Sequence, residues 1–185
     1  METEKQLTKK VDLRKLPVAQ ARVEIARDVI AALKVRVLEA SRGDYFSAYT
    51  KEEAGDEGDE ISIRDLFANK ALDSCKVCAL GALFSAKVGR LNEVSEVLYG
   101  NFLDLDRPDV ADPLLEFFSG RQLLLIECAF EMSDMRSNAP LSTRIEVSQL
   151  EALDAMDFGA GFATDQTRMI GIMENIIKNK GTFKL

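Results

Sequence analysis

Two cysteines three residues apart, Cys75 and Cys78, are the residues whose type and spacing most directly suggest chemistry. Residues three apart share one face of a helix, and Ser74 would cap a helix with Cys75 at its N-terminus, where the helix dipole lowers a thiol pKa. However, no apolar, strand-like run leads into the pair, as a thioredoxin-type redox site requires. A zinc site needs four ligands, and Cys128 is the single remaining cysteine. We therefore interpret the cysteines as small core residues.

A second group of chemically capable residues is a run of carboxylates, Asp104, Asp106, Asp109 and Asp112. Oxygen ligands at short spacing can hold Mg²⁺ or Ca²⁺, and a metal-dependent hydrolase is one function that they would support. The EF-hand pattern fails, because Pro108 occupies its fifth position and its central glycine is missing. Asp112 before Pro113 is also a typical helix start. The prediction is a solvated acidic loop without a metal.

Acidic side chains outnumber basic ones along the chain. The sequence holds 31 acidic and 24 basic residues, for a net charge of −7, and fifteen of the acidic residues lie between 93 and 165. This balance argues against binding to nucleic acid or to an anionic membrane, which needs clustered Lys and Arg. Either mimicry of nucleic-acid phosphates or simple solubility would explain it. The candidate binding residues are Glu52, Glu53, Asp56, Glu57, Asp59, Glu60, Asp104, Asp106 and Asp109.

Histidine is missing from the sequence, and its absence removes several enzyme classes. Neither a Ser-His-Asp nor a Cys-His nucleophile can be built, and the commonest general base near neutral pH is lost. The run Gly159-Ala160-Gly161 lacks the Lys-Ser/Thr of a phosphate-binding loop, so helix termination explains it better. The sequence predicts no catalytic residue, no metal and no cofactor, which favours a protein that is not an enzyme.

Hydrophobic periodicity predicts a mainly α fold, a single compact helical domain at 13–185 with at most a small β element. A flexible N-terminal tail is expected at 1–12, and a solvated acidic loop at 51–60. Pro17 opens the first helix, whose apolar residues recur along one face. Residues 35–39 favour a short strand, because apolar and polar residues begin to alternate there.

Capping patterns predict where the later helices begin, namely at Ser62, Ser74, Asp112, Ser119, Ser148 and Thr164. Ser119 and Gln122 are spaced as a capping box. Gly81 lies inside an apolar helix, where glycine is unfavourable, so it marks the close approach of a neighbouring backbone. Gly181 is expected in a left-handed C-terminal cap.

The cellular compartment follows from the N-terminus and the cysteines. The first ten residues are polar and lack the apolar core of a signal peptide, and no apolar run approaches the length of a membrane span. An odd number of cysteines without an export signal indicates reduced thiols. We predict a cytoplasmic protein that binds neither membrane nor nucleic acid directly.

Two segments, CKVCALGALFSA at 75–86 and IMENIIKNKGTF at 172–183, resemble parts of small bacterial and bacteriophage proteins. Those proteins share a C-A-x-G-A-L core helix and an N-I-I-x-N-x-G-T-F C-terminus. No activity is established for that group, so the resemblance transfers no catalytic residue. It implies a phage-like setting, in which small acidic proteins often bind and block host machinery.

The sequence therefore favours a non-enzymatic, phage-encoded interaction protein that binds and inhibits a host protein through an acidic surface. Two alternatives remain open. One is a small-molecule or nucleotide binding protein with a pocket between helices and arginines that meet phosphates. The other is the metal-dependent hydrolase built on Asp104, Asp106 and Asp109. Assembly into a homo-oligomer is compatible with each of the three.

Overall fold

A computed structural model describes residues 11–50, 60–62, 72–91, 95–97 and 102–185. Within these residues the main elements are seven α-helices: α1 (Val18–Lys34), α2 (Ala79–Leu91), α3 (Arg107–Ala111), α4 (Gly120–Glu131), α5 (Leu141–Glu146), α6 (Gln149–Ala160) and α7 (Asp165–Lys178). Short 3₁₀ turns occur at Leu13–Lys15, Asp112–Glu116 and Met135–Asn138. The prediction of a mainly helical fold with a small β element is confirmed.

The strands of the described residues are all short: β1 (Glu39–Ala40), β2 (Phe46–Thr50), β3 (Glu60–Ser62), β4 (Leu72–Val77), β5 (Ser95–Val97) and β6 (Phe102–Leu105). Four of them form a sheet in the order β1-β4-β2-β6. In this sheet β1 runs parallel to β4, and β2 is antiparallel to both of its neighbours. The strands β3 and β5 pair separately as an antiparallel ribbon.

The helix predicted to begin after Ser74 begins later, at Ala79, because the residues before it form β4. Burial alternates along the strand: Cys75 and Val77 are buried, and Lys76 between them is exposed. The backbone of β4 pairs with β2, where Cys75 lies opposite Ala48. The prediction of a cap at Ser74 was therefore wrong, and a strand does lead into the Cys75–Cys78 pair.

Three other local predictions differ from the structure. Ser62 lies in β3 and not at a helix start, and the residues that follow it lie outside the described part of the chain. Of residues 35–39, only Glu39 is in a strand, because the chain first closes the end of α1 with a turn. Asp112 begins a 3₁₀ turn with Pro113, as predicted, but it does not cap that turn, because its backbone already closes α3, whose N-cap is Asp106.

The starts of α4, α6 and α7 were predicted correctly, because their caps are local. Ser148 Oγ accepts from the Glu151 backbone N–H at 3.2 Å, and a Glu151 carboxylate oxygen accepts from the Ser148 backbone N–H at 2.9 Å. Thr164 and Thr167 make the corresponding pair of bonds at the start of α7, each 3.1 Å long. Such reciprocal bonds satisfy two backbone donors that a helix N-terminus otherwise leaves unpaired.

The capping box predicted at Ser119 forms only in part. Ser119 Oγ accepts from the Gln122 backbone N–H at 3.3 Å, but the Gln122 side chain turns to the C-terminal segment. Its Nε2 donates to the Phe183 carbonyl at 3.1 Å, and its Oε1 accepts from the Phe183 N–H at 3.0 Å. This two-bond contact holds Phe183, only 2% exposed, in the core.

The core lies between the sheet and the helices α1, α2, α4 and α7, and its largest fully buried side chains include Phe46, Phe84, Phe118 and Phe130. Gly81 allows α2 to approach the chain just before β2. A Cβ added to Gly81 would lie 1.5 Å from the Tyr45 carbonyl oxygen. The close backbone approach predicted at this glycine is confirmed. Gly181 also has the predicted positive φ, at 91°.

Candidate functional site

Most of the candidate acidic residues lie outside the part of the chain that the structure describes. Five of them, Glu52, Glu53, Asp56, Glu57 and Asp59, lie outside the described residues. The backbone of Glu60 lies in β3 and that of Asp104 in β6, so these two belong to different strand pairings. The acidic surface predicted at these positions therefore stays a prediction.

Asp106 and Asp109 act together at the start of α3. A carboxylate oxygen of Asp109 accepts from the Asp106 backbone N–H at 3.1 Å, as in a capping box. This bond satisfies one of the orphan donors of the helix and explains the spacing of the two carboxylates. Within the described part of the chain, no group of three His, Cys, Asp or Glu residues could hold a metal ion.

The three cysteines are free and buried, as the core interpretation expects. Burial raises the pKa of the Cys75 thiol to about 12 and that of Cys128 to about 11. Burial also raises the pKa of Cys78, whose backbone N–H donates to the Asp44 carbonyl oxygen. Thiols with raised pKa values are protonated near neutral pH and are poor nucleophiles.

A buried polar cluster, which the sequence analysis missed, forms around Glu127 of α4. Glu127 is 1% exposed, and its Oε1 accepts from the Tyr45 hydroxyl at 2.7 Å. Arg107 Nε donates to both carboxylate oxygens at 3.0 Å. Burial raises the pKa of Glu127, and the charge of Arg107 opposes that rise. The signal in the sequence was a single charge inside the apolar run LLLIECAF.

One turn further along α4, Glu131 holds the loop that leads into β2. Its Oε2 accepts from the Gly43 backbone N–H at 3.0 Å. Burial raises the pKa of Glu131 from 4.5 to about 7, although the Gly43 bond acts in the opposite direction. A carboxyl group that titrates near neutral pH can be a functional group, but it can equally be a structural one.

The raised pKa of Glu131 predicts a pH-dependent stability. The folded protein binds this proton more tightly than the unfolded chain does, so stability should fall as the pH rises from about 4.5 to about 7. Glu131→Gln keeps an acceptor for Gly43 and removes the titration, so its melting temperature should fall less over this range. Thermal melts at several pH values would test this.

Glu174→Gln on the exposed surface of α7 is the matched control for this prediction. Its melting temperature should depend on pH in the same way as that of the wild-type chain. Parallel profiles for the wild-type chain and Glu131→Gln would show that Glu131 does not cause the dependence.

Four exposed aliphatic side chains lie on the consecutive helices α5 and α6, and we call the surface that bears them the α5–α6 face. Its members and their exposed fractions are Leu141 (68%), Ile145 (76%), Leu150 (67%) and Leu153 (45%). None of the residues of α5 is buried. The buried residues of α6 are Ala152, Ala155 and Gly159, which are small and pack against α4. The core therefore does not use the four large side chains.

Three exposed acidic residues lie on the same two helices as the α5–α6 face. Glu146, Asp154 and Asp157 are exposed, and none of them has an ion-pair partner within the described residues. Asp154 and Asp157 follow Leu150 and Leu153 at helical spacing, so they share the outward side of α6. The basic residue of this segment, Arg144, points its guanidinium at the carbonyl oxygens of Ser137 and Ala139.

No protein-family model matches the sequence, no curated protein is detectably similar to it, and no solved structure matches its fold. Among the described residues, no helix is both long enough and apolar enough to cross a bilayer. The fold defines a mainly helical domain with a small mixed sheet, and its most distinctive exposed surface is the α5–α6 face.

Proposed function

We propose that this protein is a non-enzymatic interaction protein that binds a partner protein through the α5–α6 face. The observation that carries the proposal is the exposure of four large aliphatic side chains on two consecutive helices. Several large apolar side chains exposed near polar ones are typical of protein–protein contact sites. Burying each of them against a partner contributes on the order of 1 kcal/mol or more.

The charges on the same surface define the chemistry of the partner. Glu146, Asp154 and Asp157 are exposed on the same two helices as the aliphatic residues, and each is free to meet a cation. A partner segment with apolar side chains on one side and Lys or Arg beside them would satisfy both features. A basic amphipathic helix is such a segment, because its apolar positions recur at the spacing of Leu150 and Leu153.

The wider role is binding to, and inhibition of, a host protein by a phage-encoded chain. Its support is the resemblance of residues 75–86 and 172–183 to small bacterial and phage proteins, together with the net charge of −7. The α5–α6 face replaces Asp106 and Asp109 as the proposed contact, because those two carboxylates serve the start of α3. That role also makes them poor candidates for the metal-dependent hydrolase.

Truncation of the two leucines of α6 should weaken partner binding strongly. The wild-type chain and Leu150→Ala/Leu153→Ala are used as tagged baits in nuclease-treated bacterial lysate, and the retained proteins are quantified by mass spectrometry. Affinity for the retained partner, measured with the purified protein, should fall at least about 30-fold, because two anchor side chains are lost. The melting temperature should change little, since both residues are exposed.

The matched control is Leu115→Ala, which removes an equally exposed leucine (54%) from the 3₁₀ turn before α4. This variant should retain the partner. Recovery of the same proteins by all three baits would contradict the proposal. So would a homodimer of the wild-type chain that Leu150→Ala/Leu153→Ala dissociates, because the face would then be occupied by a second copy.

A further inference from the structure

A cavity of about 590 Å³ lies at the C-terminal end of α1, and the residues that line it belong to neither α5 nor α6. Its apolar floor is formed by Leu33, Leu38 and Cys75, all buried. These residues come from α1, from the turn that follows it and from β4. The volume is within the range of sites for small organic ligands, which usually combine an apolar floor with a few polar groups.

Two cations line the same cavity, although the chain as a whole is acidic. Lys34 and Arg36 are exposed, and neither side chain has a hydrogen-bond or ion-pair partner within the described residues. A lysine and an arginine that line one cavity are well suited to a phosphate group, which offers several oxygens and up to two negative charges. The cavity therefore provides an anion-binding end beside an apolar floor.

The backbone holds Arg36 in a defined position. Its φ is 59°, in the left-handed region, where glycine is the usual residue. The Arg36 N–H donates to the Leu33 carbonyl at 3.2 Å, and the Val37 N–H donates to the Ala32 carbonyl at 3.0 Å. These two bonds form a Schellman motif, which closes α1 and fixes the base of the arginine side chain.

Two further polar residues belong to the lining that the described part of the chain provides. Glu39 is exposed and offers acceptor oxygens but no donor. Gln166 of α7 donates from its amide to the Leu33 carbonyl at 3.4 Å, which leaves its amide oxygen available as an acceptor. A carboxylate in a site that also holds cations favours a ligand that brings hydroxyl donors as well as an anion.

We infer that this cavity binds a nucleoside monophosphate. Lys34 and Arg36 bind the phosphate, Glu39 accepts hydrogen bonds from the ribose hydroxyls, and the base lies on the floor of Leu33, Leu38 and Cys75. Gln166 meets the polar edge of the base. This ligand class brings an anion, hydroxyl donors and a partly apolar body, which match the cations, the acceptors and the apolar residues of the lining. The site is independent of the proposed protein contact on α5 and α6.

The test is titration calorimetry of the full chain with AMP, GMP, CMP and UMP, with adenosine and inorganic phosphate as partial ligands. At least one nucleotide should bind, and each partial ligand should bind at least about tenfold more weakly, because each lacks part of the contacts. Arg36→Gly should weaken nucleotide binding at least about tenfold, through loss of a charge-assisted contact. The same variant should fold at least as stably as the wild-type chain, because glycine favours a positive φ.

Lys180→Gly is the matched control. Lys180 has a φ of 54° and occupies the position after α7 that Arg36 occupies after α1. The Lys180 N–H donates to the Ile177 carbonyl oxygen, and the Gly181 N–H donates to the Ile176 carbonyl oxygen. It does not line the cavity, so its variant should bind the nucleotide like the wild-type chain. Three results would overturn the inference: no binding of any of the four nucleotides, phosphate binding as tight as nucleotide binding, or equal affinities for Arg36→Gly and Lys180→Gly.

Discussion

Gly81→Ala should destabilise the fold by about 3 kcal/mol or more, because a methyl group cannot fit at this position without moving backbone. The added Cβ would lie 1.5 Å from the Tyr45 carbonyl oxygen and 2.7 Å from its carbon. Both atoms belong to the main chain, so no side-chain rotation relieves the clash. The chain before β2 would have to shift, and the Tyr45 hydroxyl would then lose its position on Glu127. Urea denaturation followed by circular dichroism measures the loss.

Gly89→Ala is the control for this prediction, since it makes the same change in the same helix. An added Cβ at Gly89 meets no atom within 4 Å, and the helix interior favours alanine over glycine. This variant should gain about 0.5–1 kcal/mol of stability. If the two alanine variants had equal stabilities, the close approach between α2 and the Tyr45 backbone would be refuted.

Arg107→Met should destabilise the protein by about 3–5 kcal/mol near neutral pH, because it leaves the Glu127 carboxylate buried without its cation. Glu127 is 1% exposed, and its remaining partner would be the Tyr45 hydroxyl. The pKa of Glu127, already raised by burial, should rise further in this variant. The destabilisation should therefore shrink as the pH falls and the carboxyl group takes up a proton. Denaturation at several pH values measures both effects.

Two comparisons separate this charge effect from a general loss of packing. The double variant Arg107→Met/Glu127→Met removes the buried charge together with its partner and should recover most of the lost stability. Arg27→Met breaks the ion pair with Glu24, in which the arginine is 59% exposed, and should cost less than about 1 kcal/mol. A pH-independent loss in Arg107→Met, with no recovery in the double variant, would contradict the role assigned to Arg107.

Much of the helical structure could be predicted from the sequence, because helix ends are decided by groups a few residues apart. Ser148 with Glu151 and Thr164 with Thr167 bond within a single turn. The candidate sites were less predictable. The α5–α6 face depends on which of two helix surfaces the core covers, and Leu150 has the same chemistry whether it is buried or exposed. Neither the cavity at the end of α1 nor its cations could be read from spacing, since its lining comes from four separate elements.

The sequence by itself determined the helical class, the caps at Ser119, Ser148 and Thr164 and the absence of imidazole chemistry, because each depends on composition or on neighbouring residues. It also marked Gly81 as a point of close approach, but only the structure showed that the partner is the Tyr45 backbone. The tertiary structure alone decided that residues 72–77 form a strand, since β4 is stabilised by bonds to β2, more than twenty residues away. It also decided that Glu127 meets Tyr45 and Arg107 across sequence separations of 82 and 20 residues. Such contacts form only when distant segments pack together, and the pattern of neighbouring residues in the sequence does not predict that packing.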